Sequence, residues 1–397
     1  MMQFMYQSHR SLNIPPGHLT SFAAWEGGNL IDQFTSPTLI LDTKKCLNNI
    51  KSMANKAKRH GLIFRPHFKT HQSRLIGSWF RKFGVNKITV SSVRMAEYFA
   101  NDDWNDITIA FPVNIREIEA INSLADKIQL NLCIENVESI DFLIKKLKFE
   151  VGFFIKIDTG YNRTGIANDK YEVMDKILAI EKSSEKIKFK GFLSHAGHTY
   201  QAKNPGKILD IHEDSLNKLS ILKNHYHKEY PDLLVSIGDT PSCSISEEFG
   251  NINEIRPGNF VFYDLMQFNL ESCKFDQIAI AATCPVVAKH NKRNEIIIHG
   301  GAVHFSKESI NINNKAVYGM LVKLNKNGWE NYPEAFYLTK LSQEHGTLEV
   351  NYELLEELKI GDLVGIVPVH SCLTSNLMQE YFSTNDEFID HLSGIKI

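Results

Sequence analysis

The amino-acid sequence predicts an α/β fold, a (β/α)8 TIM barrel followed by a second, mostly β domain. Strand-like and helix-like segments alternate through about residue 270, which is typical of parallel strands covered by helices. About eight such units favour a closed barrel over an open sheet. After residue 275 the segments are strand-like, with turn signals and few helices. We therefore predict a barrel over 37–270 and a β domain over 275–397, which the segment 1–36 can join.

Short apolar runs mark the predicted strands. The first, PTLILD at 37–42, precedes a helix in which Leu47, Ile50 and Met53 keep helical spacing and which Gly61 ends. The further barrel strands are LIFRPHFK (62–69), KITVSS (87–92), DITIAFPV (106–113), IQLNLCIE (128–135), VGFFIKIDTG (151–160), IKFKGFLSHAG (187–197) and LLVSIGD (233–239). Helical patterns between them cover 72–83, 93–101, 136–148, 171–183 and 208–228. The β domain is predicted from 277–290, 294–305, 316–324, 335–350 and 361–370.

Composition and charge exclude several classes of protein. The 397 residues are 43% hydrophobic and 23% charged, as is usual for a soluble protein of this size, and a net charge of −2 gives no basic surface for nucleic acid or an anionic membrane. No apolar run approaches the ~18 residues of a membrane span. The first residues lack a signal-peptide pattern, and the six cysteines lack C-x-x-C spacing. We expect a cytoplasmic protein without disulfides.

Polar side chains follow four of the predicted strands at their C-terminal ends, where barrel enzymes carry their chemistry, and a fifth set flanks the segment PGNFVF at 257–262. A single polar loop residue has little weight, because loops are polar in any protein. Their recurrence at successive strand ends favours a functional site. The residues are Lys69, Asp158, Tyr161, Arg163, His195, His198, Tyr200, Ser236, Gly238, Asp239, Thr240, Arg256 and Tyr263.

Two of these segments together indicate a cofactor. In FRPHFKTHQ (64–72), Lys69 stands between two histidines at a strand end, and SIGDTPSCS (236–244) offers small residues and hydroxyls whose N–H and O–H groups can hold a phosphate. Each segment alone has an ordinary structural explanation, a surface lysine and a Gly-Asp turn. A barrel with a phosphate cradle and a lysine suits pyridoxal 5'-phosphate, which needs an amine and a phosphate site.

Seven motifs occur in an order that resembles a known family. They are RPHFKTH, DTGYNRTGI, SHAGHTY, GDTPS, RPGNFVFYD, QEHG and PVHSCLTSNL, and they extend over most of the chain. The sequence resembles the D-threonine aldolase and D-serine dehydratase group of fold-type III pyridoxal-phosphate enzymes, relatives of alanine racemase. The resemblance implies an alanine racemase-like barrel with a C-terminal β domain, a homodimer, and a small-molecule D-amino acid substrate.

The resemblance also implies roles for individual residues. Lys69 is expected to bind the cofactor covalently, with His67 and His71 supporting it. Arg163 is expected near the cofactor's ring hydroxyl or the substrate carboxylate, and Tyr200 near the pyridine nitrogen. The phosphate pocket is expected to contain Ser236, Gly238, Thr240 and Tyr263.

A divalent metal is expected at His370 and Cys372. These residues are two apart after a strand-like segment, so their side chains face the same way in an extended chain. The H-x-C spacing alone is weak, but the resemblance implies a metal at this place beside the cofactor. A thiolate favours zinc over manganese, which is the alternative ion.

The resulting hypothesis is a metal-dependent lyase for D-β-hydroxy-α-amino acids. The cysteine ligand favours a D-serine dehydratase, and a D-threonine aldolase is the alternative. Either His195 or His198 is a candidate base. His304 and His345 are further pocket candidates for which structural roles are equally expected. A racemase needs no metal, and a non-catalytic carrier of the cofactor needs no β domain, so both fit less well.

Overall fold

The computed structural model describes residues 33–325 and 327–392. The α-helices of this part are α1 Thr43–Arg59, α2 Arg74–Arg81, α3 Val93–Ala100, α4 Ile118–Ala125, α5 Val137–Lys146, α6 Tyr171–Glu181, α7 Pro205–Tyr226, α8 Thr240–Ile245, α9 Leu265–Asn269, α10 Ala302–Phe305, α11 Tyr352–Glu357 and α12 Ser371–Met378. The strands up to residue 255 are β1 Thr38–Leu41, β2 Ile63–Phe64, β3 Ile88–Val90, β4 Asp106–Pro112, β5 Gln129–Ile134, β6 Val151–Asp158, β7 Ile166–Ala167, β8 Ile187–Ser194, β9 Leu234–Ile237 and β10 Glu254–Ile255. The later strands are β11 Ile280–His290, β12 Glu295–His299, β13 Ile310–Ile312, β14 Lys315–Val317, β15 Gly319–Asn325, β16 Gly328–Asn331, β17 Tyr337–Leu341, β18 His345–Glu349, β19 Leu363–Pro368, β20 Tyr381–Ser383 and β21 Phe388–Ile389.

The predicted barrel is confirmed. Eight parallel strands are hydrogen-bonded in the order β2-β10-β9-β8-β6-β5-β4-β3, with β7 beside β6. The ring closes just after β2, where His67 forms a parallel bridge with Thr89 of β3. There Thr89 N–H donates to Pro66 O at 2.9 Å, and Phe68 N–H donates to Thr89 O at 2.8 Å. The C-terminal ends of all eight strands therefore meet at one rim.

The second sheet is antiparallel over most of its length, as the sequence predicts. Its strands follow the order β12-β18-β17-β15-β19-β11-β1-β20-β21, and a further pairing of β12 with β11 closes the first six into a small barrel. The prediction of a C-terminal β domain is confirmed at the level of architecture. The exact domain boundaries stay a prediction, and the segment 1–32 lies outside the described residues.

Strand β1 does not lie in the parallel barrel. It pairs antiparallel with β11 and parallel with β20, so the segment that the sequence analysis assigns to the barrel joins the second sheet. The missing barrel strand is supplied by β10, which pairs with β2 and β9. A short apolar strand has the same pattern in either sheet, and the two residues of β10 are too few for any periodicity.

Local capping explains where several helices begin and end. Asp42 accepts a hydrogen bond from Lys45 N–H at 3.0 Å at the start of α1, and Gly61, at φ 64°, turns the chain after it. Asp239 caps α8 in the same way, since its carboxylate accepts from Ser242 N–H at 2.8 Å. Among the described residues no helix combines the length and apolarity that crossing a bilayer requires.

Candidate active site

A cavity of about 770 Å³ opens at the rim of the parallel barrel. Residues that follow the barrel strands line one side, and residues of the second domain line the other. Most of the residues predicted from the sequence are brought together here, namely His67, Lys69, Arg163, His195, Tyr200, Gly238, Thr240, His370 and Cys372. The strand-end reasoning therefore located the cavity, although the role of each residue stays a prediction.

Lys69 lies in the wall of this cavity, five residues beyond the end of β2. Burial is the main cause that lowers the pKa of its ammonium, and the charges of Arg163 and Arg256 lower it further, while Cys372 acts in the opposite direction. A lysine of this kind is neutral at lower pH than one in water, so it is more readily available as a nucleophile or base.

The two histidines beside Lys69 have different surroundings. His67 lines the cavity, and its Nδ1 accepts a hydrogen bond from Lys69 N–H at 3.3 Å. Burial and then Lys69 lower the pKa of His67 well below its usual value, so its ring is neutral. His71 instead packs in the aromatic core against Phe68 and Phe80, and burial lowers its pKa to about 3. His71 lies outside the cavity wall, where its Nδ1 accepts a hydrogen bond from Ser73 N–H at 3.1 Å, and its expected support of Lys69 stays a prediction.

His195 and Tyr200 face the cavity from the segment after β8. A ring nitrogen of His195, Nδ1, is hydrogen-bonded to Gly238 O, which fixes the ring, and burial followed by the charge of Lys69 lowers its pKa well below the usual value. Tyr200 OH accepts from Thr240 N–H at 3.4 Å, and burial raises its pKa. Both groups are therefore neutral at physiological pH.

His198 does not line the cavity. Its ring stacks on Tyr161 with 6.1 Å between the centroids, and its buried Nδ1 has no hydrogen-bond partner in the described part of the chain. Of the two candidate bases, only His195 is in contact with the cavity.

The segment at the start of α8 fits a phosphate. A Cβ at Gly238 would lie 2.8 Å from the carbonyl carbon of Arg256, and one at Gly258 would lie 2.9 Å from His67 O. The absence of side chains at these two positions lets the backbone segments pack closely, with Thr240 and the Arg256 guanidinium at the cavity wall. The positive charge of Arg256 beside these small residues suits an anionic group.

Two residues predicted for the phosphate pocket lie behind its wall. Ser236 Oγ donates to Glu254 Oε1 at 2.7 Å and accepts from Arg256 Nε at 2.6 Å, so its hydroxyl is already occupied. Tyr263 OH pairs with Ser244 Oγ at 3.1 Å. Neither residue lines the cavity, so their expected place in the phosphate pocket is not supported by this geometry.

His370 and Cys372 stand together at the start of α12. Burial favours the neutral form of both groups, but their mutual attraction is strong enough to raise the pKa of His370 to about 9 and to lower the pKa of the Cys372 thiol. Thr70 Oγ1 lies 3.2 Å from Cys372 Sγ, and Asn259 Nδ2 lies 3.8 Å from it. This is a polar environment for a thiolate.

The donor set fits a divalent ion. His370 Nδ1 is buried without a hydrogen-bond partner in the described chain, and the nearest carboxylate oxygen, on Asp264, is 3.9 Å away. Asp264 Oδ2 is held by Asn259 Nδ2 at 2.5 Å and by Ser371 N–H at 2.9 Å. An unpaired imidazole nitrogen beside a thiolate provides the nitrogen and sulfur ligands that zinc prefers.

The sequence analysis missed part of the site. Lys156 lines the cavity, but it lies within the apolar strand β6, between two isoleucines. The presence of a lysine in such an apolar strand was the only sign in the sequence that it could belong to a site. Asn259 and Asp264 belong to the quoted motif RPGNFVFYD but have no distinctive spacing. Glu308 reaches the cavity from the second domain, which periodicity cannot reveal.

The remaining candidates, His304 and His345, lie outside the cavity wall. His304 is in α10, beside His299 and Glu344, and His345 is exposed at the start of β18. Their predicted contact with the pocket is not found.

Comparison with known proteins agrees with this architecture. Residues 41–265 match the family model of the alanine racemase N-terminal domain, and residues 279–384 match that of the putative serine dehydratase domain. A D-serine dehydratase of Dictyostelium discoideum is 27% identical over an alignment of 392 positions, which covers 91% of this chain and 96% of that protein. A 3-hydroxy-D-aspartate aldolase of Paracoccus denitrificans is 25% identical over an alignment of 394 positions, which covers 91% of this chain and 94% of that protein.

A solved structure resembles the fold over its whole length. It is a D-threo-3-hydroxyaspartate dehydratase in which one cysteine is replaced by alanine, in a metal-free form, with a TM-score of 0.83 and 22% identity over 93% of this chain and 100% of that one. The two family models, in the order expected from the seven motifs, cover most of the chain. The chain therefore belongs to the alanine racemase-like family that includes the D-serine dehydratases and D-threonine aldolases.

Proposed function

We propose that this protein is a pyridoxal-phosphate- and metal-dependent lyase that acts on D-β-hydroxy-α-amino acids, with dehydration of D-serine as its reaction. The coarser class, a lyase of D-amino acids, follows the names of its relatives, which are dehydratases and aldolases. The observation that carries the proposal is that one cavity wall contains both Lys69 and the pair His370 and Cys372. A racemase needs the lysine but not the two metal ligands.

The residues of this cavity could hold both pyridoxal phosphate and a zinc ion. Lys69 would bind the cofactor, the Gly238–Thr240 segment with Arg256 would hold its phosphate, and His370 with Cys372 would bind zinc. When bound, pyridoxal phosphate draws electrons from the α-carbon of an amino acid, and zinc polarises a hydroxyl group. Two protein ligands leave zinc positions open, as catalytic rather than structural sites do.

The protein's own groups then have defined tasks. Lys69, with its lowered pKa, can remove the α-proton as a neutral amine. Arg163, also in the wall, can bind the substrate carboxylate through paired N–H donors. Loss of the α-proton and the β-hydroxyl releases water, and hydrolysis of the remaining unsaturated amine gives a keto acid and ammonia.

The neutral ring of His195 can orient a bound group or transfer a proton, since Gly238 O fixes its Nδ1. His198 is less suited to this task because it lies behind Tyr161. We propose His195 as the base that an aldolase reaction would require and as an orienting residue in the dehydratase.

The aldolase is the second candidate, and its support is the relative named 3-hydroxy-D-aspartate aldolase. The dehydratase is preferred because the second metal ligand is a cysteine, and because the D-serine dehydratase relative is 27% identical to this chain whereas the aldolase is 25% identical. The metal-free cysteine variant of a dehydratase with this fold also supports a cysteine-dependent metal.

Product analysis separates the candidates. The purified protein, loaded with pyridoxal phosphate and zinc, is given D-serine, D-threonine and the isomers of 3-hydroxyaspartate, with L-serine as the control for stereochemistry. We expect pyruvate and ammonia from D-serine and no turnover of L-serine. Glycine with an aldehyde would establish the aldolase, and exchange of the α-proton without a lyase product would support a racemase.

A homodimer is part of the proposal, since the family resemblance implies one. Sedimentation equilibrium of the loaded protein should give twice the mass of one chain, and a monomer that is fully active would contradict this assembly.

A further inference from the structure

Three potential metal ligands gather on the second domain, outside the cavity wall. His299 ends β12, His304 lies in α10, and Glu344 lies in the turn between β17 and β18. One ligand atom from each residue lies within 4.8 Å of the others. His299 Nε2 is 3.6 Å from Glu344 Oε2, and the two imidazole rings are 5.6 Å apart and nearly perpendicular.

The backbone holds this cluster in place. Gly300 N–H donates to Glu344 O at 2.9 Å, and Ala302 N–H donates to Ser342 O at 2.8 Å. A Cβ at Gly301 would come within 2.3 Å of Gln343 O, so the two segments touch directly. The three side chains therefore start from segments that cannot move apart independently, which reduces the entropy lost when they bind a common ion.

We propose that His299, His304 and Glu344 bind a divalent transition-metal ion of the zinc class, at a site separate from His370 and Cys372. Two imidazoles and one carboxylate are a ligand set that zinc accepts, and they leave one position for water. Bonds of about 2.0–2.2 Å require the ligand atoms to move closer than they now lie. Since all three side chains are only partly buried or exposed, rotation about their side-chain bonds can supply this movement.

One existing hydrogen bond opposes binding. Gly301 N–H donates to His304 Nδ1 at 3.1 Å. An ion bound at Nδ1 would take the place of the Gly301 N–H group. An ion bound at Nε2 would leave the ring proton on Nδ1, which could then no longer accept a hydrogen bond. The hydrogen bond from Gly301 is therefore lost in both cases. Coordination by three ligands more than offsets one neutral hydrogen bond, because an ion bonds to all of them at once.

The position of the cluster lets a bound ion connect two segments of the second domain. Helix α10, which carries His304, packs against α12, whose first turn carries Cys372. The segment after α10 supplies Glu308 and Asn311 to the cavity wall. An ion that joins α10 to the β17–β18 turn would therefore stabilise the part of the second domain that borders the cavity.

Metal content tests this site independently of the proposed activity. The full chain is stripped with chelator, dialysed against buffered zinc and measured by mass spectrometry of the metal per chain. The variants are His299→Ala and Glu344→Gln, with His227→Ala as a control that removes a surface histidine elsewhere, and Cys372→Ala for the cavity. We expect His299→Ala and Glu344→Gln each to lose one equivalent of zinc relative to the unmodified protein and the control.

The combination of His299→Ala with Cys372→Ala distinguishes the two sites. The double variant should bind one equivalent of zinc per chain less than Cys372→Ala alone, whether or not the cavity binds metal. Zinc should also raise the melting temperature of Cys372→Ala but not that of the double variant. Unchanged zinc content in both His299→Ala and Glu344→Gln would overturn the proposal and would leave the proposed lyase activity untouched.

Discussion

Lys69 is the residue whose chemistry can be tested most directly. Borohydride reduction of the protein loaded with pyridoxal phosphate, followed by peptide mapping, should place the label on Lys69. Lys69→Ala should lose the label and slow turnover by at least about 10²–10⁴, the contribution of a positioned acid or base.

Lys156 provides the matched control, because it also lines the cavity and burial also lowers its pKa. Lys156→Arg should keep the label on Lys69. A label on Lys156 in the unmodified protein would show that the cofactor is bound to Lys156, within β6, instead of to Lys69.

The residues around Cys372 tune the proposed cavity metal. Cys372→Ala should remove zinc and lyase turnover while the cofactor stays attached to Lys69. Thr70→Val removes the hydroxyl that lies 3.2 Å from Cys372 Sγ, and loss of such a partner typically weakens metal binding by about 10–100-fold. Zinc titration of each variant gives the affinity.

Cys273→Ala is the control for these variants, since Cys273 is buried outside the cavity. If Cys372→Ala retains both zinc and full turnover, the pair His370 and Cys372 has no catalytic role.

At the scale of elements, the C-terminal segment fastens the start of α2. Asp390 accepts hydrogen bonds from Ser73 Oγ at 2.8 Å, Arg74 N–H at 2.9 Å and Leu75 N–H at 3.1 Å. A carboxylate is favourable at a helix N-terminus, where N–H groups lack partners. We expect Asp390→Asn to lower the free energy of unfolding by about 1–2 kcal/mol in urea titrations.

The effect of Asp390 should depend on pH. Burial alone would raise the pKa of its carboxyl group, but the bonds from Tyr98, Arg74 and Leu75 lower it below the usual value. Its stabilisation is therefore complete above the unfolded pKa of about 3.9 and is lost as the pH falls through the lower folded value. Asp386→Asn, in the preceding turn, should show little difference at any pH. An equal effect of both variants would contradict the capping role.

Sequence patterns located most elements but not all of their partners. The barrel strands β2 to β6, β8 and β9 lie in apolar segments that the sequence shows, and the long helices have helical periodicity. The location of β1 depends on distant pairing with β11 and β20, which no local pattern encodes. At the site, Lys69, His370 and Cys372 stood in recognisable motifs, whereas Lys156 looked like one more strand residue.

At the scale of the whole molecule, a buried charge network helps to close the barrel. Arg65 Nε pairs with Glu254 Oε2 at 2.7 Å, and Arg65 NH1 pairs with Asp106 Oδ1 at 2.5 Å. These contacts connect the segment after β2 to β10 and β4. Removing one partner of a buried pair leaves a charge without compensation, so Arg65→Ala should lower the unfolding free energy by about 3–5 kcal/mol.

The exposed pair of Arg59 with Glu247 gives the comparison. Arg59→Ala should cost less than about 1 kcal/mol in the same urea titration, because water screens that pair. Similar losses for both variants would mean that the Arg65 network does not contribute specially to barrel closure.

The pairing of β1 also constrains how the protein is made. During synthesis β1 leaves the ribosome long before β11 and β20, the strands on either side of it, so it must wait as an unpaired apolar segment while the parallel barrel forms. A cut in the chain between the barrel and the second sheet would separate β1 from both neighbours. The two halves of this protein are thus linked at both ends of the barrel, so we expect a fragment that ends before β11 to expose β1 as an unpaired apolar edge.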